Sequence, residues 1–144
     1  MILKTLLTII FVSCFMETDK ERISLGCPLE HGSVSVSAPA HRLSNAEPSR
    51  SFLFLTNEPS SIYSVFSGIA TKLDTIGSKY LIVLASDSMF SSYYGDFDPS
   101  GFELGKHYGR GEVLSKMGKG KELILGIWWG KNQLYEEVEF DCSH

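Results

Sequence analysis

The chain has 144 residues, of which 43% are hydrophobic and 12% aromatic. This size predicts one compact domain with a single core. The formal net charge of −4 gives no attraction to phosphate backbones, so we expect no nucleic-acid partner.

The N-terminus has the layout of a secretory signal. Lys4 precedes an apolar run from Thr5 to Ser13, which is too short to span a bilayer. The stretch "FVSC", which ends at Cys14, resembles a relaxed bacterial lipoprotein signal. We therefore expect residues 1–13 to be cleaved and Cys14 to carry lipid, which makes the protein an exported periplasmic or outer-membrane lipoprotein anchored to the membrane. The alternative is that cleavage falls elsewhere and Cys14 is lost with the signal.

Two further cysteines, Cys27 and Cys142, lie near the two ends of the mature chain. In an oxidising envelope compartment, a disulfide is their natural pairing. Closing so long a loop stabilises a small domain by about 4 kcal/mol in the chain-entropy model. Two unpaired buried thiols are the alternative.

Residues 14–47 are rich in Ser, Ala, Pro and charge, and they predict a tether, with an edge strand as an option in "SVSVSA" at 33–38. From Ser49 onward, short apolar runs are separated by turn residues. No window after the signal has a helical period, so we predict an all-β domain over residues 48–142, a small curved antiparallel sheet or sandwich. The runs lie at 52–55, 62–66, 80–85, 89–94, 112–114, 123–129 and 134–140.

Residues 105–130 contain seven glycines. A phosphate-binding loop requires a glycine turn that leads into a helix, whereas "GKGKE" leads into an apolar run typical of a strand. We therefore interpret these glycines as tight turns and close strand crossings.

Four segments follow one another in a suggestive order: "SIYSVFSGIATKL", "YLIVLASDSMFSSYYGDF", "LGKHYGRGEVLSK" and "ELILGIWWGKNQLYEEV". Read together, they resemble the successive signatures of the lysostaphin or LytM-type zinc endopeptidases, which cut peptidoglycan cross-bridges. The resemblance covers roughly residues 48–140 and depends on spacing and β pattern. It implies a LytM-like architecture, a duplicated-hybrid-motif-like β fold, with a groove that holds a peptide.

The resemblance also implies that the zinc site is lost. The family's H-x-x-x-D ligands fall on Ser49 and Leu53, its H-x-H pair on Glu122 and Ile124, and the histidine of Y-A-H-L on Asp96. Leu53 and Ile124 have no electron pair to donate to a metal, so the resemblance implies no cofactor and no hydrolysis by the family's mechanism. It implies a non-catalytic domain that binds peptidoglycan peptide or docks on a hydrolase in the envelope.

Three aromatic residues are candidates for binding: Tyr94, Trp128 and Trp129. The two tryptophans are adjacent, so on a strand they point to opposite faces, and we expect one of them to be at least partly exposed. An exposed indole suits stacking on a sugar ring or packing on a partner protein. The alternative is that it covers the edge of the core.

Two other functions stay open. A metal-dependent endopeptidase with a rebuilt site could use His41 or His107 with Asp96 and Glu122, and the two carboxylates alone could perform acid–base chemistry. The chain could also be a purely structural envelope lipoprotein without a ligand groove.

Overall fold

The computed structural model describes residues 21–30, 49–130 and 137–142, and residues 32–37 by their backbone. This part of the chain is all-β and contains no helix, which confirms the predicted fold class. Accordingly, it includes no helix that could cross a bilayer. The signal segment and Cys14 lie outside the described residues. The strands are β1 (Arg22–Gly26), β2 (Gly32–Ser37), β3 (Arg50–Thr56), β4 (Ser60–Tyr63), β5 (Gly68–Ile76), β6 (Lys79–Ala85), β7 (Met89–Gly95), β8 (His107–Tyr108), β9 (Val113–Met117), β10 (Glu122–Trp129) and β11 (Glu137–Asp141).

Seven of these strands form one antiparallel sheet in the order β2-β3-β10-β7-β6-β5-β8. Two separate pairs complete the described structure, the antiparallel pair β4–β9 and the parallel pair β1–β11. The long strands β10, β7 and β6 occupy the middle of the large sheet. Their side chains therefore decide what each face of the sheet presents.

The hairpin between β5 and β6 shows how local sequence sets the register. Ile76 pairs with Lys79, so Gly77 and Ser78 form a two-residue loop. Gly77 has a φ of 63°, which glycine adopts without the steric cost of a Cβ. The glycine thus fixes the register of the two strands.

One face of the sheet, the inner face, carries the main hydrophobic core. Alternate residues of β10 point into it, and their cross-strand neighbours on β3, β7 and β6 do the same. These side chains are almost fully buried and supply alternate residues of the apolar runs in the sequence. They include Leu123, Leu125, Ile127, Phe54, Tyr93, Ile82 and Leu84.

Part of the segment predicted as a tether, residues 14–47, packs into this core. Leu25 on β1 and Leu29 just after it are each only 1% exposed. β2 also pairs with β3, at the edge of the large sheet. The β structure therefore extends back to Arg22, because "ISLG" and "PLE" bury their apolar side chains despite the polar composition around them.

A disulfide joins Cys27, which follows β1, to Cys142, which follows β11. It closes a sequence separation of 115 residues and holds the two Cα atoms 4.7 Å apart. The strand register brings Gly26 opposite Asp141, so the bond fastens the parallel pair at its end. The two ends of the described chain are therefore covalently joined beside the core.

Candidate functional site

The opposite face of the large sheet, here called the outer face, carries the positions predicted to line a groove. We define it by Ser51, Leu53 and Leu55 on β3, Ile124, Gly126 and Trp128 on β10, Phe90, Ser92 and Tyr94 on β7, and Leu81 and Val83 on β6. These residues alternate along each strand with the core residues of the inner face. The outer face is largely apolar, with aromatic rings on β7 and β10 and two serine hydroxyls, those of Ser51 and Ser92.

Leu53 and Ile124 are direct cross-strand neighbours on this face. Ile124 also pairs with Tyr94 on its other side, and Tyr94 pairs in turn with Leu81. The four side chains thus form a row across four strands. Leu53, Ile124 and Tyr94 are half-buried, so hydrocarbon and an aromatic ring make up the accessible part of the row.

Asp96 and Glu122 lie together at one end of adjacent strands. Leu123 pairs with Gly95, so the residues just beyond them, Glu122 and Asp96, are next in register. Asp96 accepts a hydrogen bond from the Lys121 ammonium at 2.8 Å, in an exposed ion pair. This carboxylate also lines a surface cavity of about 440 Å³. The negative charge of Asp96 is therefore paired with the positive charge of Lys121.

Ser49 does not join the other four positions. It lies four residues before Leu53, about 13 Å away along an extended chain. Its hydroxyl accepts a hydrogen bond from the backbone N–H of Trp129 at 3.2 Å, which ties it to the far end of β10. The structure thus groups Leu53, Ile124, Asp96 and Glu122 near one end of the sheet and separates Ser49 from them.

The two tryptophans lie on opposite faces, as their adjacency on a strand requires. Trp129 is half-buried against the main core, with the Arg50 guanidinium 5.7 Å from its ring centre. Trp128 lies on the outer face and is 9% exposed. Its ring covers Gly126, where an added Cβ would approach the ring atoms to 2.7 Å. Glycine is therefore required for the indole to lie flat on the sheet.

Two buried polar atoms on the outer face have no hydrogen-bond partner, the indole Nε1 of Trp128 and the hydroxyl of Ser51. Ser51 is the register partner of Gly126, over which the indole lies. A buried polar group without a partner costs about 1–3 kcal/mol relative to one that is satisfied. In native proteins, an ordered water, local strain or a functional role accounts for such groups.

Sequence reasoning did not single out the two most exposed side chains of this face. Phe90 is 48% exposed and Leu55 is 40% exposed. Their signal is present in the alternation of Phe90, Ser92 and Tyr94 on one strand, because alternate residues share a face. Tyr94 also has the Lys79 ammonium 5.6 Å from its ring centre, which adds a positive charge at the edge of the face.

The groups with perturbed pKa values lie away from the outer face, in turns or in the core. The N–H of Gly109 and the Lys106 ammonium lower the pKa of the Glu112 carboxyl. The backbone N–H of Ser100 lowers that of Asp98 in a tight turn. Burial raises the pKa of the Tyr93 phenol. These groups hold turns and the core in place.

The predicted alternative of a rebuilt metal site depends on the histidines. His107 is exposed on the edge strand β8, whereas His31, His41 and His144 lie outside the described residues. Within the described ranges, no three His, Cys, Asp or Glu side chains form a group that could hold a metal ion.

No protein-family model matches this chain. A comparison with curated proteins also finds no match.

Proposed function

We propose that this protein is a non-catalytic domain of the bacterial cell envelope that binds peptidoglycan through its outer face, on a LytM-like scaffold without zinc ligands. The observation that carries the proposal is the cross-strand pair of Leu53 and Ile124. The resemblance assigns three zinc ligands, and although the third position, Ser49, lies apart at the far end of β10, Leu53 and Ile124 lie side by side, as ligands of one metal must. Their adjacency supports the alignment, and their hydrocarbon side chains support binding without hydrolysis.

The disulfide supports the cellular location. A bond between Cys27 and Cys142 persists in oxidising compartments and is rare in the cytosol. Its presence is consistent with a chain that is exported by the N-terminal signal and held at the membrane by lipid on Cys14. A domain fixed in this way would meet peptidoglycan from the membrane side.

The chemistry of the outer face suits a saccharide with a peptide attached. The ring of Tyr94 and the more exposed ring of Phe90 are separated by one residue of the same face. Aromatic rings pack on the apolar faces of sugars, so these two rings offer surfaces on which a saccharide can stack. Affinity would then come from a few aromatic anchors rather than from charge.

Co-sedimentation with purified peptidoglycan sacculi tests this proposal. We expect the wild-type protein to sediment with the sacculi, and Tyr94→Ala to weaken binding about tenfold, which is typical of an aromatic anchor. Tyr94→Phe should retain most of the binding because it keeps the ring. Leu104→Ala is the matched control, since Leu104 is 60% exposed and lies in the loop before β8. Binding that Tyr94→Ala leaves unchanged would contradict the proposal.

A second candidate, docking on a peptidoglycan hydrolase, is favoured by the exposure of Phe90 and Leu55. Exposed hydrophobic side chains beside an aromatic ring are typical of protein interfaces. The two candidates are distinguished by adding the domain to a purified zinc endopeptidase of the same envelope and measuring the turnover of the endopeptidase. A rate increase that Phe90→Ala abolishes, without any binding to sacculi, would favour docking.

A further inference from the structure

A pocket of about 560 Å³ lies where the disulfide joins the ends of β1 and β11. This volume falls within the range of about 300–1,000 Å³ that is usual for small-molecule sites. Charged side chains of both signs line it, Arg110, Glu30 and Asp141, together with Tyr63. The pocket shares no residue with the outer face, so it is independent of the function proposed above.

Arg110 is held in one orientation at this pocket. Its Nη1 donates a hydrogen bond to the backbone carbonyl of Ser24 at 2.9 Å. Its backbone N–H donates to the hydroxyl of Ser67 at 3.2 Å. The side-chain stem lies against Gly26, where an added Cβ would come within 3.2 Å of the Arg110 Cγ. The absence of a side chain at Gly26 therefore makes room for the arginine.

Arg110 forms no ion pair with a described carboxylate, although Glu30 and Asp141 line the same pocket. Across the described ranges, the ion pairs of the chain involve other cations, and the guanidinium is fixed by a carbonyl. A guanidinium has five N–H donors, and one of them is used here. The remaining donors can form bidentate hydrogen bonds with a carboxylate, because the planar guanidinium matches the geometry of the carboxylate.

The carboxylates lie on other elements of the same pocket. Glu30 Oε2 accepts a hydrogen bond from the Tyr63 hydroxyl at 3.4 Å, which positions it beside the aromatic ring. Asp141 ends β11 opposite Gly26 and directly precedes the disulfide cysteine Cys142. One guanidinium and two carboxylates therefore face a common cavity. Such a cavity favours a ligand that carries a negative and a positive group together.

We propose that this pocket binds a small zwitterion, an amino acid or a dipeptide. Its carboxylate pairs with the Arg110 guanidinium, and its ammonium group pairs with Glu30 and Asp141. The Tyr63 ring contacts the hydrocarbon between the two charges. Each charged group of the ligand has an oppositely charged partner, so loss of either one weakens binding strongly.

A titration of the intact oxidised protein with alanyl-alanine, followed by amide NMR shifts, tests this proposal. We expect saturable shifts at Gly26 and Gly111, a backbone neighbour in the pocket wall. N-acetyl-alanyl-alanine lacks the ammonium and alanyl-alanine amide lacks the carboxylate, and each should bind about tenfold more weakly or worse. Arg110→Ala should abolish saturation, whereas Lys72→Ala, which removes an exposed cation on β5, should not.

The capped dipeptides separate charge recognition from nonspecific contact. Equal shifts with the free and the capped forms would overturn the proposal, and so would the absence of saturable shifts with alanyl-alanine. Because the ligand analogues leave the protein unaltered, neither result depends on whether a variant folds. Sacculus binding, measured on the same preparation, stays unchanged in Arg110→Ala if the two sites are independent.

Discussion

Removal of the disulfide should destabilise the domain strongly. The bond closes a separation of 115 residues, so it restricts the unfolded chain over nearly its whole described length. In the chain-entropy model, a loop of this size corresponds to about 4.8 kcal/mol at 25 °C. Native proteins have free energies of unfolding of about 5–15 kcal/mol, so the expected loss is about a third or more of the free energy of unfolding. We therefore predict that the double variant Cys27→Ala, Cys142→Ala loses about 4.8 kcal/mol of its free energy of unfolding.

Urea unfolding followed by tryptophan fluorescence measures this effect. With a slope of about 2 kcal/mol per molar urea, typical of a small protein, the midpoint should fall by about 2 M. Wild-type protein in excess reductant is the matched control, because it breaks the same bond without changing a residue. A midpoint that moves by less than about 0.3 M in both samples would refute the reasoning.

Three further predictions concern single residues. Gly126→Ala places a methyl group 2.7 Å from the ring of Trp128, and urea unfolding should show a loss of about 1–3 kcal/mol in the free energy of unfolding. The control is Gly101→Ala, which should change the free energy of unfolding little because the space around Gly101 is open. Tyr93→Phe leaves the buried N–H of Val65 without its phenol acceptor, and should cost about 1–3 kcal/mol by the same assay. The pKa of Glu112 is lowered in the folded state, so the ionised carboxylate stabilises the fold. This stabilisation is complete above the pKa of an unfolded glutamate and is lost as the pH falls through the lower folded value. Glu112→Gln should therefore flatten the acid limb of a plot of the urea-unfolding midpoint against pH.

Much of the fold follows from the local sequence. The apolar runs at 52–55, 80–85, 89–94 and 123–129 lie within β3, β6, β7 and β10, since strands of a large sheet bury one or both faces. The sequence does not predict β5, because "GIATKLDTI" exposes most of its side chains and is held largely by backbone pairing with β6. The sequence does not predict β1 either, because the residues around it are polar and only two of its five residues are buried.

The candidate site is less accessible to sequence reasoning. Strand periodicity shows that Phe90 and Tyr94 share a face, but only the register shows that Tyr94 lies beside Ile124 and that Ile124 lies beside Leu53. Strand order in an antiparallel sheet is set by contacts between distant segments, which local propensity does not encode. For the same reason, the pocket around Arg110 has no signal in the sequence.

Several predicted glycine roles match the backbone geometry. Gly105, Gly111 and Gly120 have positive φ values, as tight turns require. Gly126 has no such φ but allows a close approach of the indole, which is the second role predicted for these glycines. Both roles follow from the missing Cβ, so a glycine-rich segment predicts them without identifying which glycine has which role.

The central claim is that this domain binds peptidoglycan without cutting it. A direct test is to incubate the purified protein with sacculi, once with zinc and once with a chelator. In each condition, both the sedimented protein and the soluble fragments released are measured. We predict that the protein sediments to the same extent in both conditions and that no fragments are released. Chelator-sensitive release of fragments, or protein that stays in the supernatant, would contradict the claim.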